Sequence, residues 1–295
     1  MTFINGHWVN ELDPKLFHIW GDVGVSYYGL AYVTGFVCGV FLHRLFRRTG
    51  RSPLNADQEE IGLYAMVLGV LLGARLGYVL LYALPETLDR PWFIFEVWRG
   101  GMSSHGGFIG VVLACWYVSR KCKITLLQFG DIMTPMVPVG FLLGRLANFI
   151  NGELWGNVSN VAWAVIFPRS APGMPLDTIA PRHPSQLYEA GTEGFILLLY
   201  MQWRFWKGDA QKYPGRLSGE FLLVYSASRI VCEQFREPDA SLIFGMSRGI
   251  FYTIFLIAWG IYLVIRSYRR PAIAFPYATN PVSAAPQKRK APKKR

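Results

Sequence analysis

The sequence predicts an all-helical polytopic membrane protein with about seven transmembrane helices and a small extracytoplasmic head. Two features of its composition support this prediction. Apolar residues make up 52% of the 295 residues and charged residues only 17%, whereas soluble domains contain roughly 25% charged residues. The third observation is that the apolar residues gather in long segments of about the length that crosses a bilayer. This composition excludes a disordered protein, a collagen and a typical soluble enzyme.

Seven apolar segments account for the seven predicted helices. The third segment is short for a span, and its helix could begin earlier, through Gly100 and Gly101. The fourth contains Pro135 and Pro138, which membrane helices tolerate when neighbouring groups satisfy the freed carbonyls. The segments run approximately over 26–46, 61–83, 106–119, 130–149, 186–206, 217–235 and 249–266.

The distribution of basic residues predicts the orientation of the chain. Connections on one side of the seven segments contain 20 Lys and Arg residues, and those on the other side contain seven. Because basic loops stay in the cytoplasm, the N-terminus is predicted outside and the C-terminus inside.

The same pattern divides the chain into three parts. Residues 1–25 form an extracytoplasmic arm, and residues 26–266 form the transmembrane domain. Within that domain, the proline-rich connection 150–185 forms the extracytoplasmic head. Residues 267–295 form a basic tail that ends in KRKAPKKR and is predicted to be disordered and cytoplasmic. Attraction to anionic lipid explains this tail better than binding to nucleic acid does, so we expect membrane lipid and no nucleic acid as its partner.

Cysteine and histidine spacing predicts no metal site. The four cysteines contain no CxxC pair, and no His/Cys/Asp cluster has the spacing of metal ligands.

Five segments place polar side chains in the outer half of the bilayer in this orientation. Charged residues inside spans are costly and mark functional sites by default. Arg145 and Asn148 are three residues apart, and Tyr225, Arg229 and Glu233 are each four apart, so each set shares one helix face. The polar residues in question are Tyr27, Tyr28, His105, Arg145, Asn148, Asn151, Gln186, Glu189, Glu193, Tyr225, Arg229 and Glu233.

Two of these residues predict an anion site. Arg145 and Arg229 appear without an equal number of nearby carboxylates, so we expect them to bind an anion, for which the planar guanidinium suits a lipid phosphate. His105, in a glycine-flanked turn, is expected to be accessible and able to accept a proton near neutral pH. Arg229 and Glu233 could instead form a structural ion pair.

Segment 2 contains a further arginine and a glycine stripe. Arg75 is equally compatible with a structural and a catalytic role. Gly69, Gly73 and Gly77 are expected to form a close-packing face.

Several motifs resemble those of one enzyme family. GRLANFINGELWG at 144–156 closely resembles the signature of prolipoprotein diacylglyceryl transferases. The resemblance extends from about residue 20 to 266. It is carried in the same order by SYYGLAY (26–32), GARLGYVLLY (73–82), GGMSSHGG (100–107), HPSQLYE (183–189) and YSASRIVCEQFREPD (225–239).

The resemblance implies a multi-pass enzyme of the bacterial plasma (inner) membrane, with seven spans and an active site that faces the extracytoplasmic leaflet. Such enzymes transfer the diacylglyceryl group of phosphatidylglycerol to the lipobox cysteine of a prolipoprotein, and glycerol 1-phosphate leaves. This reaction is the first step of lipoprotein maturation. The implied partners are phosphatidylglycerol and prolipoprotein signal peptides with a lipobox cysteine, with no cofactor.

The resemblance also implies roles for individual residues. His105 is the candidate base for the thiol, and an arginine-assisted thiolate without a histidine base is the alternative. Arg145 and Arg229 would hold the phosphate, and Glu233 would orient Arg229. The residues implied as catalytic are His105, Arg145, Arg229 and Glu233, and those implied as lipid-binding are Arg145, Asn148, Glu153, Gly156, Tyr28 and Tyr225.

Three positions depart from the family pattern. Asn157 stands where the signature usually ends in Arg, Ser104 where Phe is usual, and Ala162 where Pro is common. The Asn157 difference keeps open a catalytically dead homologue that binds lipid. An anionic-lipid transporter is a further alternative, but the polar residues gather in one leaflet and no inverted repeat is detected.

Overall fold

The computed structural model describes residues 1–20, 23–97, 100–238, 242–275 and 277. The described chain divides into two compact units. The first unit contains Met1–Leu42 and Lys123–Ile273, and the second contains His43–Cys122 together with the described residues from Ala274 onward.

All seven predicted segments are helical. The third predicted segment corresponds to α4, which begins at Ser104 and continues to Cys122, so it is longer at both ends than the sequence suggested. A π-helical turn, Ala190–Ile196, joins α7 to α8. The α-helices are α1 Tyr27–Arg48, α2 Ala56–Tyr82, α3 Leu84–Asp89, α4 Ser104–Cys122, α5 Leu126–Met133, α6 Val137–Asn151, α7 Ser185–Glu189, α8 Leu197–Lys207, α9 Arg216–Glu233 and α10 Arg248–Tyr268.

Within the described ranges, three helices are long and apolar enough to cross a membrane, namely α1, α2 and α10. The pair α5 and α6 forms a fourth candidate, bent by 47° at a short break. Pro135 lies in that break and Pro138 lies in the first turn of α6. Proline removes a backbone donor and bends a helix, which explains the kink.

The outward faces of the long helices are apolar. Only 17% of the apolar window of α2 is buried inside the protein. Leu68, Leu72, Leu76 and Leu80 form a stripe along this helix and are 54%, 56%, 44% and 60% exposed. Soluble monomers rarely expose apolar patches of this extent to water. Together with the long apolar helices, the stripe indicates a polytopic membrane protein.

Glycines bring α2 and α4 into close contact within the second unit. A Cβ atom on Gly73 would lie 2.5 Å from the carbonyl oxygen of Gly106, and one on Gly110 would lie 1.9 Å from that of Gly69. Neither helix can carry a larger side chain at these positions without moving away. The glycine stripe of segment 2 is therefore a packing face, as the sequence predicted.

Arg75 serves this same unit as a structural residue. It is 4% exposed, and its guanidinium donates to the backbone carbonyl oxygens of Phe93, Ile94, Gly100 and Gly101. These bonds attach the connection between α2 and α4 to α2. Of the two roles open for Arg75, its contacts favour the structural one.

The described residues include five short strands, so the protein is mostly helical, and the prediction of an all-helical fold is wrong in this detail. β1 and β2 pair through the turn Asn5–Gly6, whose φ angles of 51° and 83° are those of an Asn-Gly hairpin turn, a signal present in the sequence but not used in the prediction. β2 also pairs with β5 in a parallel arrangement, so the N-terminal arm shares a sheet with the head. The strands are β1 Phe3–Ile4, β2 His7–Val9, β3 Lys15–Trp20, β4 Val23–Ser26 and β5 Val165–Ile166.

The end of the chain is described in part. α10 ends at Tyr268, two residues beyond the predicted limit of the transmembrane domain. The Ile273 amide donates to the Lys212 carbonyl oxygen at 2.9 Å. Most of the predicted disordered tail, 278–295, lies outside the described residues.

Candidate active site

The C-terminal end of α6 positions the first polar group. Gly152 caps the helix in the left-handed region, with φ 62°, and Leu154 also has a positive φ of 56°. The chain therefore reverses sharply after α6. As a result the Glu153 carboxylate returns to the helix, where its Oε1 accepts a hydrogen bond from Asn148 Nδ2 at 3.0 Å.

Tyr28, near the start of α1, completes this group. The Asn148 amide also donates to the Tyr28 hydroxyl oxygen. Both amide protons of Asn148 are thereby used, and Asn148 is only 4% exposed. Three residues implicated separately by the resemblance therefore form one connected group.

The arginines from α6 and α9 converge on one glutamate. Arg145 Nη1 lies 3.2 Å from Glu189 Oε2, and Arg229 Nη1 lies 2.6 Å from Glu189 Oε1. Glu189 has no solvent exposure, whereas the side chains of Arg145 and Arg229 are 20% and 11% exposed. This carboxylate therefore joins the two helices that the sequence predicted to carry the anion site.

Two further glutamates and a third arginine surround this centre. Glu193 lies 3.4 Å from Arg145 and 3.4 Å from Arg229. Glu233 pairs with Arg229 at 2.8 Å, and Arg236 pairs with Glu189 at 3.0 Å. We call these six side chains the arginine–glutamate cluster: Arg145, Arg229, Arg236, Glu189, Glu193 and Glu233.

The composition of the cluster corrects one expectation. The sequence predicted that Arg145 and Arg229 lack an equal number of nearby carboxylates, and this is wrong, because three arginines meet three glutamates. Two buried arginines without carboxylate partners would have a large unfavourable desolvation free energy, which is the physical reason that each arginine is paired with glutamate. An anion here would meet guanidinium donors that the carboxylates leave available.

A π-helical turn presents two of the glutamates. Glu189 ends α7, and Glu193 lies within the π-helical turn that follows. The same turn contains Gly194, where a Cβ atom would lie 2.7 Å from the Cα atom of Leu142 on α6. The turn therefore packs directly on the helix that carries Arg145. Such turns are frequent at functional sites.

Tyr225 and Glu233 extend the stripe of Arg229 along α9. The Tyr225 ring is stacked on Phe221, with centroids 6.1 Å apart, and contacts Phe141 of α6 at 5.3 Å. The Glu233 carboxylate faces the first turn of α10, where a Cβ atom on Gly249 would lie 2.7 Å from it. The partial positive charge of a helix N-terminus stabilises a carboxylate in that place.

Gly156 occupies a position where only glycine fits. Its amide donates to the His183 carbonyl oxygen at 2.9 Å. An added Cβ atom would lie 2.4 Å from the Phe235 carbonyl oxygen and 2.6 Å from that of His183. Gly156 therefore ties the head to the segment that follows α9, which explains its residue type by packing.

The adjacent position, Asn157, is also bound to this segment. Its side chain donates to the Gln234 carbonyl oxygen at 3.3 Å. Arg182, a nearby cation of the head, is paired with Glu237 at 2.6 Å. Arg169 is exposed, and its Cδ lies 3.8 Å from the place of a Cβ atom on Gly152.

His105 lies in the second unit, whereas the other implicated residues lie in the first. It is exposed, as predicted, but it belongs to the first turn of α4 rather than to a loop. Its neighbour Gly106 packs on α2, where a Cβ atom would lie 2.3 Å from the Gly73 carbonyl oxygen. The glycines around His105 thus have a packing role of their own.

Sequence reasoning gave no role to three members of the cluster. Glu189 and Glu193 stood among the polar residues of segment 5, and Arg236 was counted only as a loop cation. The available signal was their place in the motifs, because Glu189 ends HPSQLYE, Glu193 follows four residues later, and Arg236 lies within YSASRIVCEQFREPD. Among the described residues, no group of three or more His, Cys, Asp and Glu side chains could hold a metal ion.

A family model described as prolipoprotein diacylglyceryl transferase matches residues 14–266. A protein of Idiomarina loihiensis is 42% identical over 275 residues, which cover 90% of this chain and 97% of that protein. A protein of Zymomonas mobilis is 42% identical over 250 residues, covering 83% and 85%. A third, of Rhizobium meliloti, is 39% identical over 274 residues, covering 90% and 95%.

All three relatives carry the name phosphatidylglycerol–prolipoprotein diacylglyceryl transferase. The match includes every residue that the resemblance implicated, from Tyr28 to Glu233. The chain therefore belongs to the prolipoprotein diacylglyceryl transferase family.

Proposed function

We propose that this enzyme transfers the diacylglyceryl group of phosphatidylglycerol to the lipobox cysteine thiol of prolipoproteins. The observation that carries the proposal is the arginine–glutamate cluster, which gathers two implicated arginines from α6 and α9 on one buried carboxylate. Family membership supplies the class of reaction, and the cluster supplies the cationic groups that a lipid phosphate requires.

The reaction forms one bond and breaks one. The cysteine sulfur attacks the glycerol carbon that carries the phosphate ester, so a carbon–sulfur bond forms and the carbon–oxygen bond to phosphate breaks. Glycerol 1-phosphate leaves with the bonding electrons, and the thiol proton passes to a base. The thiolate is the competent nucleophile.

Arg145 and Arg229 bind the phosphate and stabilise the charge that develops on the leaving group. A guanidinium has five N–H donors. Arg145 directs Nη1 to Glu189 and Nη2 to Glu193, so donors remain for a phosphate oxygen. Its greater exposure, 20% against 11% for Arg229, makes it the first contact for the lipid.

The remaining residues have positioning roles in this proposal. Tyr28, Asn148 and Glu153 position the polar head group of the lipid, and Tyr225 contributes to the same binding region. Glu233 orients Arg229 through their ion pair. His105 accepts the thiol proton, and the alternative is a thiolate stabilised by arginine alone.

The proposed cellular setting follows from the charge pattern. Seven helices span the bacterial inner membrane, with 1–25 as an outer arm, 150–185 as the outer head and 267–295 as a cytoplasmic tail. The seven-helix domain 26–266 is catalytic, and its active site faces the extracytoplasmic leaflet. The partners are phosphatidylglycerol, prolipoprotein signal peptides and the surrounding lipid.

Mass spectrometry of a reconstituted reaction tests the proposal. The purified protein is incubated with phosphatidylglycerol vesicles and a lipobox peptide, and a thioether-linked diacylglyceryl adduct is expected. A peptide with serine in place of the cysteine is the matched control and should remain unmodified. A parent protein that binds the lipid but forms no adduct would instead favour the catalytically dead homologue.

A further inference from the structure

We infer that Glu189 is a positioning residue, which sets the guanidinium groups of Arg145 and Arg229 in the geometry needed for transfer. The inference rests on the proposed function and deepens it, because it concerns the organisation of the same site. Arg145 lies on α6 and Arg229 on α9. Neither helix alone can therefore hold the two guanidinium groups in place relative to each other.

The contacts of Glu189 differ from those of every other carboxylate in the cluster. Its Oε1 accepts hydrogen bonds from Arg229 at 2.6 Å and from Arg236 at 3.0 Å. Its Oε2 lies 3.2 Å from Arg145. One carboxylate thereby holds three cations, from α6, from α9 and from the segment after α9.

The other two glutamates make fewer or longer contacts with the arginines. Glu193 also bridges Arg145 and Arg229, but through two long hydrogen bonds of 3.4 Å, whereas Glu189 lies 2.6 Å from Arg229 and 3.2 Å from Arg145. Glu233 pairs with Arg229 alone, four residues away on the same helix. Glu189 is therefore the close link between the arginines that the proposed function assigns to the phosphate.

Complete burial makes this link sensitive to charge. Glu189 has no solvent exposure, so water cannot compensate for the loss of its negative charge. With Gln at this position, three guanidinium groups would face two carboxylates. The extra positive charge would still attract a lipid phosphate, but the arginines would no longer be held in register. Misplacement of catalytic groups by about 1 Å can cost roughly a hundredfold in rate.

The first test separates turnover from binding in the full-length enzyme. For Glu189→Gln we expect kcat to fall about thirtyfold or more, while KM for phosphatidylglycerol does not rise. Glu189→Asp keeps the charge but shortens the side chain, and we expect a smaller fall in kcat with unchanged KM. Parent-like kcat in Glu189→Gln would overturn the inference. If Glu189→Gln does not fold, parent-like kcat in Glu189→Asp would overturn it.

Glu220 provides the matched control. Its carboxylate, 13% exposed, accepts hydrogen bonds from Arg204 at 2.6 and 2.7 Å and from Arg216 at 3.3 Å. Glu220→Gln thus breaks another multi-arginine ion pair in the same unit. We expect its kcat to equal that of the parent, and equal losses in the two variants would show a merely structural role for Glu189.

A second test does not depend on activity. Phenylglyoxal reacts with free guanidinium groups, and peptide mass spectrometry locates the modified arginines. We expect Arg145 to react at least about threefold faster in Glu189→Gln than in the parent, with Arg44, whose side chain is 60% exposed, as the internal reference. Equal rates of Arg145 modification in the parent and in Glu189→Gln would overturn the inference. If the parent forms no thioether-linked diacylglyceryl adduct on the lipobox peptide, only the proposed function is refuted. The phenylglyoxal test still decides the role of Glu189.

Discussion

The six side chains of the arginine–glutamate cluster differ in how many partners each has. Glu189 contacts three arginines, Arg229 contacts three glutamates, and Arg145 contacts two. Of the two arginines proposed to bind the phosphate, Arg145 therefore has fewer glutamate contacts and greater solvent exposure. This asymmetry predicts that Arg145 depends most on the shape of its guanidinium.

Replacement of Arg145 by lysine tests that dependence. An ammonium group is a point charge and cannot reach Glu189, Glu193 and a phosphate with one planar fork. We expect Arg145→Lys to lower kcat/KM at least about a hundredfold, the usual cost of losing an electrostatic contact in a transition state. Arg169→Lys, an exposed arginine of the head, is the control and should leave adduct formation unchanged. Normal turnover of Arg145→Lys would contradict paired contacts to phosphate.

A different expectation applies to His105, which lies in the second unit. If His105 removes the thiol proton, His105→Gln should lower the transfer rate about 100-fold to 10,000-fold while lipid binding is retained. Rates measured from pH 6 to 9, with vesicle binding measured in parallel, test this role. Near-normal turnover throughout that range would leave the arginine-assisted thiolate as the mechanism.

The sequence predicted some of these residues and missed others for physical reasons. Tyr28, Asn148 and Glu153 were implied by the resemblance, and the structure joins them by hydrogen bonds. Glu189 and Glu193 were placed among the polar residues but received no role, because a count of charges along one chain segment does not reveal pairing between helices. Their partners lie 36 to 48 residues away.

Helix packing in the second unit depends on small residues. The carbonyl oxygens of α2 and the glycines of α4 approach so closely that no side chain fits between them. Lipid tails are as apolar as the helix surfaces, so close backbone approach, rather than burial from water, stabilises such a pair.

Gly110→Ala tests this packing. Its Cβ atom would lie 1.9 Å from the Gly69 carbonyl oxygen, so the helices must separate. Overpacking costs about 1–3 kcal/mol, and we expect a lower thermal unfolding midpoint in detergent. Gly107→Ala is the matched control, because its Cβ atom would meet Ala74 at an ordinary 3.5 Å. Equal midpoints for the two variants would contradict the packing role.

The apolar pattern of the sequence predicted the positions of the helices better than it predicted the strands. Every predicted segment is helical because long apolar runs must satisfy their backbone groups internally in lipid. The kink between α5 and α6 agrees with Pro135 and Pro138. The strands were missed because β1, β2 and β5 are only two or three residues long, and the pairing of β2 with β5 joins distant parts of the chain.

The whole chain has a strong charge asymmetry, which makes its proposed orientation testable. A reporter that is active only outside the cytoplasm can be fused after Arg295 or inserted between Gly173 and Met174 in the exposed part of the head. We expect no activity from the first fusion and strong activity from the second, because basic connections remain inside. The reverse pattern would refute the topology and the single-leaflet site.

The fate of each half of phosphatidylglycerol tests the proposed transfer most directly. Two lipid batches are prepared, one labelled in the diacylglyceryl group and one in the head-group glycerol, and each is incubated with the enzyme and a lipobox peptide. We predict that the first label appears on the peptide cysteine and the second in soluble glycerol phosphate, in equal amounts. Head-group label on the peptide, or glycerol phosphate released without a labelled peptide, would contradict transfer of the diacylglyceryl group.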